Sequence, residues 1–216
     1  MSPRSSGAAT RAQTRVLAEH VPEVVEGLLA EVPRPAKPRG NPAIAVLMGF
    51  PGVGKTHCAR LLAQRLGAAH VASDRLRSQL FVVASYADPE NAAVFRILEA
   101  LVERLIDDRH RVIVDATHLS RRSRGSTLAL AGLRGVPCAH VLVTSDESET
   151  LARLAERRRA RAEYDRSDAD ERVYRAMRER GFEEPREPYL TIRNGPDLSG
   201  EIDRVSRALE AQWSGT

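Results

Sequence analysis

The sequence predicts an α/β fold in which five parallel strands form a sheet with helices on both faces. From residue 43 onward, short apolar runs alternate with longer amphipathic segments, and the sequence contains no internal repeat. Such alternation is typical of a parallel sheet whose crossover helices cover both of its faces. The 216 residues, of which 42% are hydrophobic, are enough for one domain with a real core and an added extension.

Residues 1–42 are expected to form this N-terminal extension. Apolar residues recur at helical spacing from Val16 to Leu29, which predicts one amphipathic helix over about 13–31. The segment 33–42 contains four prolines, which exclude a helix and favour an extended linker. The apolar face of the helix must pack on the domain, on a second copy of the chain as a homodimer, or on a partner.

Each further element follows from its local pattern. Short apolar runs, rich in β-branched residues and bounded by polar turns, predict strands, and apolar stripes at spacings of three and four predict helices. The predicted strands cover about 43–48, 69–72, 111–115, 139–143 and 189–193. The predicted helices cover about 58–66, 73–84, 90–108, 121–133, 147–161, 169–180 and 199–212.

The loop after the first strand carries the most specific motif of the chain, G-x-x-x-x-G-K-[ST]. Its glycines let backbone N–H groups surround an anion, and the following helix adds the positive end of its dipole. Lys55 is expected to reach the β- and γ-phosphates of ATP, and the Thr56 hydroxyl to ligate Mg²⁺. The predicted nucleotide-binding residues here are Phe50, Pro51, Gly52, Val53, Gly54, Lys55, Thr56 and His57.

Polar residues follow the second and third predicted strands, where open α/β sheets bind their ligands. Asp74 is the candidate general base for an attacking hydroxyl, and a helix cap is the alternative. Arg77, three residues further on, is suited to a phosphate or carboxylate of the substrate. Asp115 ends its strand as a Walker B acid does, and it could hold Mg²⁺ or bind the acceptor. His118, beside the site, is expected to be a structural or substrate-contact residue.

Two arginine clusters are expected to provide positive charge for phosphoryl transfer. Charge on the transferring phosphoryl group needs a cationic clamp, and a mobile lid that supplies arginine also excludes water. The clusters are Arg121, Arg122 and Arg124 after the third strand, and Arg153, Arg157, Arg158, Arg159 and Arg161 on a later helix. Arg157 is the first candidate for the lid arginine and Arg161 the second, whereas any single arginine could also belong to a solvated face.

Composition limits the partners and the compartment. Aromatic residues make up only 4% of the chain, which argues against an extended base-stacking surface, and the net charge of +4 decides nothing by itself. Cys58 and Cys138 fall in a predicted helix and a predicted strand, so we expect buried free thiols in a reducing compartment. No apolar run approaches the length of a membrane span and no secretory signal is visible, which favours a cytoplasmic protein without membrane contact.

On these motifs the chain resembles the P-loop kinases related to polynucleotide 5′-hydroxyl kinases and zeta-type toxins. It is also similar to the kinase-like domains grouped under the name ATP-binding AAA family. The resemblance covers about residues 43–212. It rests on the phosphate loop, on Ser73-Asp74-Arg75-Leu76-Arg77, on Asp115-Ala116-Thr117-His118-Leu119 with Arg121 and Arg122, and on Ser167-Asp168-Ala169-Asp170.

The resemblance implies a P-loop NTPase three-layer sandwich with strand order 2-3-1-4-5. It implies a kinase domain over 43–216, with a helical lid over about 151–170 and an ATP- and Mg²⁺-dependent transfer of the γ-phosphate to a hydroxyl. Asp74 would be the general base, Arg77 would bind the substrate's phosphate or the acceptor and Arg122 would face the acceptor. Arg157 would belong to the lid, and Asn194 would flank the adenine.

The sequence does not identify the acceptor of the phosphate. Polynucleotide kinases commonly have asparagine where this chain has His118. Two classes of acceptor therefore remain alternatives: a nucleic-acid 5′-hydroxyl or nucleoside, and a small molecule such as a sugar, antibiotic or sugar nucleotide. A regulatory NTPase that binds a partner through its leading helix is the alternative from another class. The chain lacks the Asn-Lys-x-Asp motif of GTPases, and Ala116 stands where motor ATPases have a second acid.

Overall fold

The computed structural model describes residues 13–82, 84, 86–164 and 171–215, without the side chains of 157, 158 and 160–164. Within these residues, five strands form one sheet in which every neighbouring pair is parallel. The strands are β1 Ile44–Met48, β2 Ala69–Ala72, β3 Val112–Asp115, β4 Cys138–Thr144 and β5 Tyr189–Arg193. Their order is β2-β3-β1-β4-β5, which confirms the strand order that the resemblance implied.

Helices cover both faces of the sheet. They are α1 Val21–Leu29, α2 Lys55–Leu66, α3 Ser73–Leu80, α4 Asp88–Asp107, α5 Arg121–Arg134, α6 Glu147–Tyr164, α7 Glu171–Arg180 and α8 Leu198–Ser214. Because successive side chains of a strand point to opposite faces, Ile44 and Val46 join the core under α1, α3, α4 and α5. Ala45 and Leu47 join the second core, under α2 and α8. The predicted three-layer sandwich is confirmed.

The N-terminal extension packs on the domain. The helix predicted over about 13–31 is interrupted at His20, with residues 13–19 also helical, because Pro22 lies in the first turn of α1. Proline has no N–H to donate and cannot continue a preceding helix. Val25 and Leu29 of α1 are buried in the first core, where α1 contacts α4. A homodimer through this helix stays a prediction.

The proline-rich linker runs along the open edge of the sheet. The carbonyl of Pro33 accepts a hydrogen bond of 2.9 Å from the backbone N–H of His70 in the edge strand β2. Unpaired edge strands invite pairing with other chains, and a covering segment blocks that contact. The start of the linker is therefore fixed beside β2.

Two helices end three or more residues from their predicted ends, and α2 begins at Lys55, three residues before its predicted start. α3 ends at Leu80, four residues before the predicted end, because Phe81 is extended (φ −130°, ψ 125°) and its side chain is buried in the first core. α6 continues to Tyr164, three residues beyond its predicted end. Among the described residues, no helix is long and apolar enough to span a membrane.

Candidate nucleotide and acceptor site

The phosphate loop has the backbone that its motif predicts. Gly49, Gly52 and Gly54 have φ angles of 144°, 82° and 93°, a region that side chains other than glycine rarely enter. α2 begins directly behind the loop at Lys55, so the unpaired N–H groups of its first turn lie beside the loop. Nζ of Lys55 donates a hydrogen bond of 2.9 Å to the carbonyl of Phe50, across the loop.

Asn194, directly after β5, is hydrogen-bonded to the backbone of the phosphate loop. Its Nδ2 donates a hydrogen bond of 2.8 Å to the carbonyl of Val53, and its backbone N–H donates one of 2.7 Å to the carbonyl of Thr144. A Cβ at Gly54 would collide with Asn194 Nδ2, so this position needs glycine for space as well as for its φ angle. Asn194 thus contacts the loop backbone, and its contact with adenine stays a prediction.

Asp115 lies at the carboxyl end of β3, buried and opposite Leu47 of β1 in the sheet register. Its Oδ2 lies 3.3 Å from Nε2 of His70. Burial alone would raise the pKa of the Asp115 carboxyl. The hydrogen bond to His70 and the nearby Lys55 and Thr56 outweigh burial and hold this pKa below its usual value. Asp115 is therefore an ionised carboxylate beside the lysine and the threonine of the phosphate loop.

This corner, formed by Lys55, Thr56 and Asp115, has the chemistry of a magnesium site. Mg²⁺ prefers oxygen ligands and is commonly bound by one or two carboxylates together with phosphate oxygens and water. The Thr56 hydroxyl and the Asp115 carboxylate supply such ligands. In the described part of the chain, no group of three His, Cys, Asp or Glu could hold a metal by itself. The donor set fits an ion that a bound nucleotide helps to coordinate.

Asp74 lies near the start of α3, which directly follows β2, and its side chain is exposed. It makes no hydrogen bond or ion pair with any residue that the structure describes. The residue at the N-cap of α3 is Ala72, and no side chain caps the helix there. No hydrogen bond therefore supports the cap alternative, and the carboxylate is available to a ligand. Its role as general base stays a prediction.

The two arginines predicted to contact substrate differ in their surroundings. Arg122 is exposed and has no partner within the described residues. Arg77 is buried, donates to the buried carboxylate of Glu90 and, at 2.7 Å, to Oδ1 of Asn91, and lies 4.4 Å from the ring centre of Tyr86. Arg77 therefore ties α3 to α4. The substrate contacts of both arginines stay predictions.

His118 is almost fully buried and has a positive φ of 46°, a region in which His and Asn are enriched among non-glycine residues. Its Nδ1 donates to the carbonyl of Leu47 at 3.1 Å, which leaves Nε2 as an acceptor without a partner in the described part of the chain. Burial lowers the pKa of His118 to about 4, so the ring is neutral at neutral pH. Its substrate contact stays a prediction.

Arg124 has a role that its sequence pattern did not reveal. It is 1% exposed, donates to the carbonyl of His118 at 2.6 Å and also donates to the carbonyl of Glu183. Its guanidinium lies 5.5 Å from the ring centre of Phe182. These contacts connect the loop after β3 to the segment after α7. The sequence separation of 59 residues between Arg124 and Glu183 left no local signal for this contact.

The base of the predicted lid packs against the phosphate loop. Thr150 and Leu154 of α6 are buried, and a Cβ at Gly52 would meet Leu154 at 2.8 Å. Arg153, on the same helix, donates to Ser145 at 2.9 Å and to Glu149. The Arg157 and Arg161 side chains and the turn 165–170 lie outside the described residues, so the identity of the lid arginine stays a prediction.

α7 brings a further arginine to the phosphate loop. The ring of Tyr174 packs edge-on against Phe50, with 6.2 Å between the ring centres. The guanidinium of Arg178 lies 5.4 Å from the centre of the Phe50 ring and 6.0 Å from that of Tyr174. The sequence hypothesis did not name Arg178. The spacing of four between Tyr174 and Arg178, which places both on one helical face, is the signal that could have found it.

The sequence matches the family described as an AAA domain over residues 44–185. The match covers more than half of the chain and includes β1 to β4, the phosphate loop and the helices α2 to α7. The chain therefore belongs to this family. No curated protein matches it in sequence.

Solved structures of two kinases and of the protein Kti12 have the same fold. APS kinase CysC from Mycobacterium tuberculosis, solved with AMPPNP and APS, has a TM-score of 0.59 and 19% identity, covering 80% of this chain and 99% of that one. Kti12 from Chaetomium thermophilum, solved with ADP-AlF3, has a TM-score of 0.62 and 21% identity, covering 79% and 98%. A gluconokinase from Sinorhizobium meliloti has a TM-score of 0.54 and 19% identity, covering 81% and 99%. At these identities the likeness is one of fold.

Proposed function

We propose that this protein is an ATP- and Mg²⁺-dependent kinase that transfers the γ-phosphate to a hydroxyl group. The observation that carries the proposal is the corner formed by Lys55, Thr56 and the buried, ionised Asp115 at the end of the phosphate loop. The free carboxylate of Asp74 follows the neighbouring strand, β2. Phosphoryl transfer needs charge stabilisation at the phosphates and a carboxylate at the attacking hydroxyl, and the two halves of the site supply these groups.

Each residue of the site has a defined task in this reaction. Lys55 and the N–H groups of the loop bind the phosphate oxygens, while Thr56 and Asp115 hold the metal. Mg²⁺, when bound, offsets the negative charge of the triphosphate. Asp74 orients the acceptor hydroxyl and takes up its proton as the oxygen attacks the γ-phosphorus. A new O–P bond forms, the bond from the γ-phosphorus to the bridging oxygen breaks, and ADP leaves.

The lid supplies positive charge in this proposal. Arg157 remains its predicted arginine. Arg178 is a second candidate because its guanidinium lies over Phe50, which is part of the phosphate loop. A cation held at this point is suited to the charge that develops on the transferring phosphoryl group. Closure of α6 and α7 over the nucleotide would also keep water from the reaction.

We favour a small-molecule acceptor over a nucleic acid. APS kinase and gluconokinase, two of the kinases with this fold, act on small molecules by their names. His118 replaces the asparagine that polynucleotide kinases commonly have, and its side chain is buried. The exposed acceptor-side groups, Asp74 and Arg122, contact no residue within the described part of the chain and are free for a ligand.

We also propose a cytoplasmic location. Cys58 and Cys138 are free thiols, and burial raises their pKa values to about 11 and about 12. Cys58 is buried in the helix that follows the phosphate loop, whereas Cys138, expected to be buried, is half-buried at the start of β4. Protonated free thiols of this kind fit a reducing compartment. Fractionation of source cells with detection of the protein tests this location, and recovery from an oxidising, extracellular fraction contradicts it.

The function is tested by a transfer screen with γ-labelled ATP and Mg²⁺ over oligonucleotides, nucleosides and sugars, with and without phosphate groups. Label is expected on a small hydroxyl compound, and omission of Mg²⁺ should remove it. The Asp74→Asn variant should lose the transfer, whereas Asp88→Asn, an exposed aspartate at the start of α4, should keep it. Release of inorganic phosphate alone, with no labelled acceptor and no effect of Asp74→Asn, would instead support a regulatory NTPase.

A further inference from the structure

A cavity of about 490 Å³ lies between the N-terminal linker and α2, next to the metal corner. Its walls are formed by residues 33–35 and Arg39 of the linker, by one face of α2, and by β2 with the start of α3. Thr56 and His70 line this cavity, and both also interact with Asp115. The cavity therefore borders the place where the phosphate chain of a nucleotide in the loop would end.

The cavity has a strongly positive lining. Of the described residues, four arginines and no carboxylate line it. The arginines are Arg34, Arg39, Arg60 and Arg75. Within the same part of the chain, Arg34 donates only to main-chain carbonyls, and Arg60 contacts the ring of His57 at 3.5 Å. Arg39 has no hydrogen bond or ion pair with a described residue, and Arg75 lies 3.9 Å from Glu31 in an exposed pair. Most of this charge is therefore uncompensated.

The position of these arginines is set by the fold. α1 is anchored by Val25 and Leu29 in the first core, and Pro33 pairs with the edge of β2. Arg39 lies against Gly67, where a Cβ would collide with its side chain. All four arginines are exposed to solvent, and a concave site lined by charges of one sign attracts ions of the opposite sign. The cavity is therefore suited to an anionic ligand.

We infer that this cavity binds the anionic group, a phosphate or sulfate ester, of a small-molecule acceptor, so that the N-terminal extension forms one wall of the acceptor site. This inference rests on the proposed kinase function. Arg75 lines the cavity and directly follows Asp74 in the chain. An anionic group held in the cavity therefore lies beside the helix that carries the candidate general base. The cavity volume is within the range of small-molecule sites.

Binding of an anion is tested with the phosphate loop already filled. The protein is saturated with Mg²⁺ and AMPPNP and titrated calorimetrically with sodium sulfate at constant ionic strength. Sulfate is expected to bind, and Arg39→Ala with Arg60→Ala should weaken that binding at least about tenfold, because each arginine contributes charge-assisted hydrogen bonds. Arg39→Lys with Arg60→Lys should retain most of it. Arg65→Ala is the matched control, because Arg65 lies on the same helix but pairs with Asp203.

AMPPNP affinity, measured separately for each variant, keeps the two proposals apart. If AMPPNP binds and the paired alanine variant binds sulfate as the wild type does, the cavity inference is wrong while the kinase proposal stands. If AMPPNP does not bind to the wild type, the kinase proposal fails, and the arginine variants still show whether the cavity takes sulfate. A single-stranded oligonucleotide with a 5′-hydroxyl is the second probe. The small-molecule class would be overturned if the oligonucleotide bound more tightly than sulfate, if its affinity fell steeply with salt, and if the paired alanine variant no longer bound it.

Discussion

The nucleotide side of the site and its acceptor side are built in different ways. On the nucleotide side, the polar groups are held by other parts of the chain: Lys55 bonds across its loop, Asn194 bonds to Val53, and Asp115 is buried beside His70. On the acceptor side, Asp74 is exposed and has no partner among the described residues. The fold thus holds the phosphate-binding groups in place before any ligand arrives. On the acceptor side it holds Arg77 against Glu90 and Asn91 but leaves the carboxylate of Asp74 to be oriented by the acceptor.

This difference predicts which substitutions change stability as well as ATP affinity and which change turnover alone. A change on the nucleotide side removes contacts that the folded chain makes with itself, so it should alter ATP affinity and stability together. A change at Asp74 removes no such contact and should alter turnover alone.

Lys55→Ala should lower the rate of phosphate transfer by about a hundredfold to a thousandfold, because it removes a charged donor from the phosphates. ATP affinity, measured by calorimetry, should fall as well. Lys37→Ala is the matched control, since Lys37 is exposed in the linker. Transfer at the wild-type rate by Lys55→Ala would show that the phosphate loop has been wrongly assigned.

Stability should fall as the pH is lowered from about 6.5 towards 4, in part because of His118. Its pKa is 6.5 as a free side chain and about 4 when buried in the fold, so between these values the unfolded chain binds more protons. The contribution is complete above pH 6.5 and amounts to roughly 3 kcal/mol. Urea unfolding of the wild type and His118→Asn at several pH values measures it. An equal pH dependence in both proteins would contradict the assignment.

Asn194→Ala should weaken ATP binding about tenfold and lower stability by about 1–3 kcal/mol, because it leaves the carbonyl of Val53 without its donor in a buried place. Thermal unfolding and nucleotide titration measure the two effects. Asn91→Ala is the comparison, since Asn91 accepts from Arg77 on the acceptor side. If Asn194→Ala binds ATP normally, the loop does not depend on this support.

Arg178→Ala is expected to have the smallest effect, about a tenfold loss of kcat with little change in stability, because its contact with Phe50 is exposed. Arg172→Ala, on the same helix and also exposed, serves as the control. Steady-state kinetics measure both variants. A loss confined to KM for ATP would indicate a binding contact and not a contribution to the transition state.

Local patterns in the sequence predicted the phosphate loop, the five strands and most helices, because each of these depends on a few neighbouring residues. The break at His20 also had a local signal in Pro22, but the apolar spacing on both sides of it favoured one continuous helix. α3 ends early because Phe81 is extended and packs in the first core, and no local sequence pattern indicated this end.

The parts of the site that could not be predicted depend on residues far apart in the chain. Arg124 is buried because it meets the backbone of Glu183, and Arg178 reaches the phosphate loop only because α7 packs on Phe50. The sequence of the linker indicated only an extended path. Its arginines line one cavity because Pro33 pairs with β2, a contact between distant parts of the chain. Sequence patterns thus identified chemical groups, while the tertiary fold determined which of them meet.

The division between the two sides is tested most directly by Asp74→Asn, with ATP affinity and kcat measured on the same preparation. The account predicts a fall in kcat of about a hundredfold or more, an ATP dissociation constant within about twofold of the wild type, and unchanged thermal stability. Wild-type kcat would remove Asp74 from the reaction. A loss of stability with normal kcat in the folded fraction would show that Asp74 only supports its helix, and it would contradict the claim that this carboxylate acts on the acceptor and has no structural role.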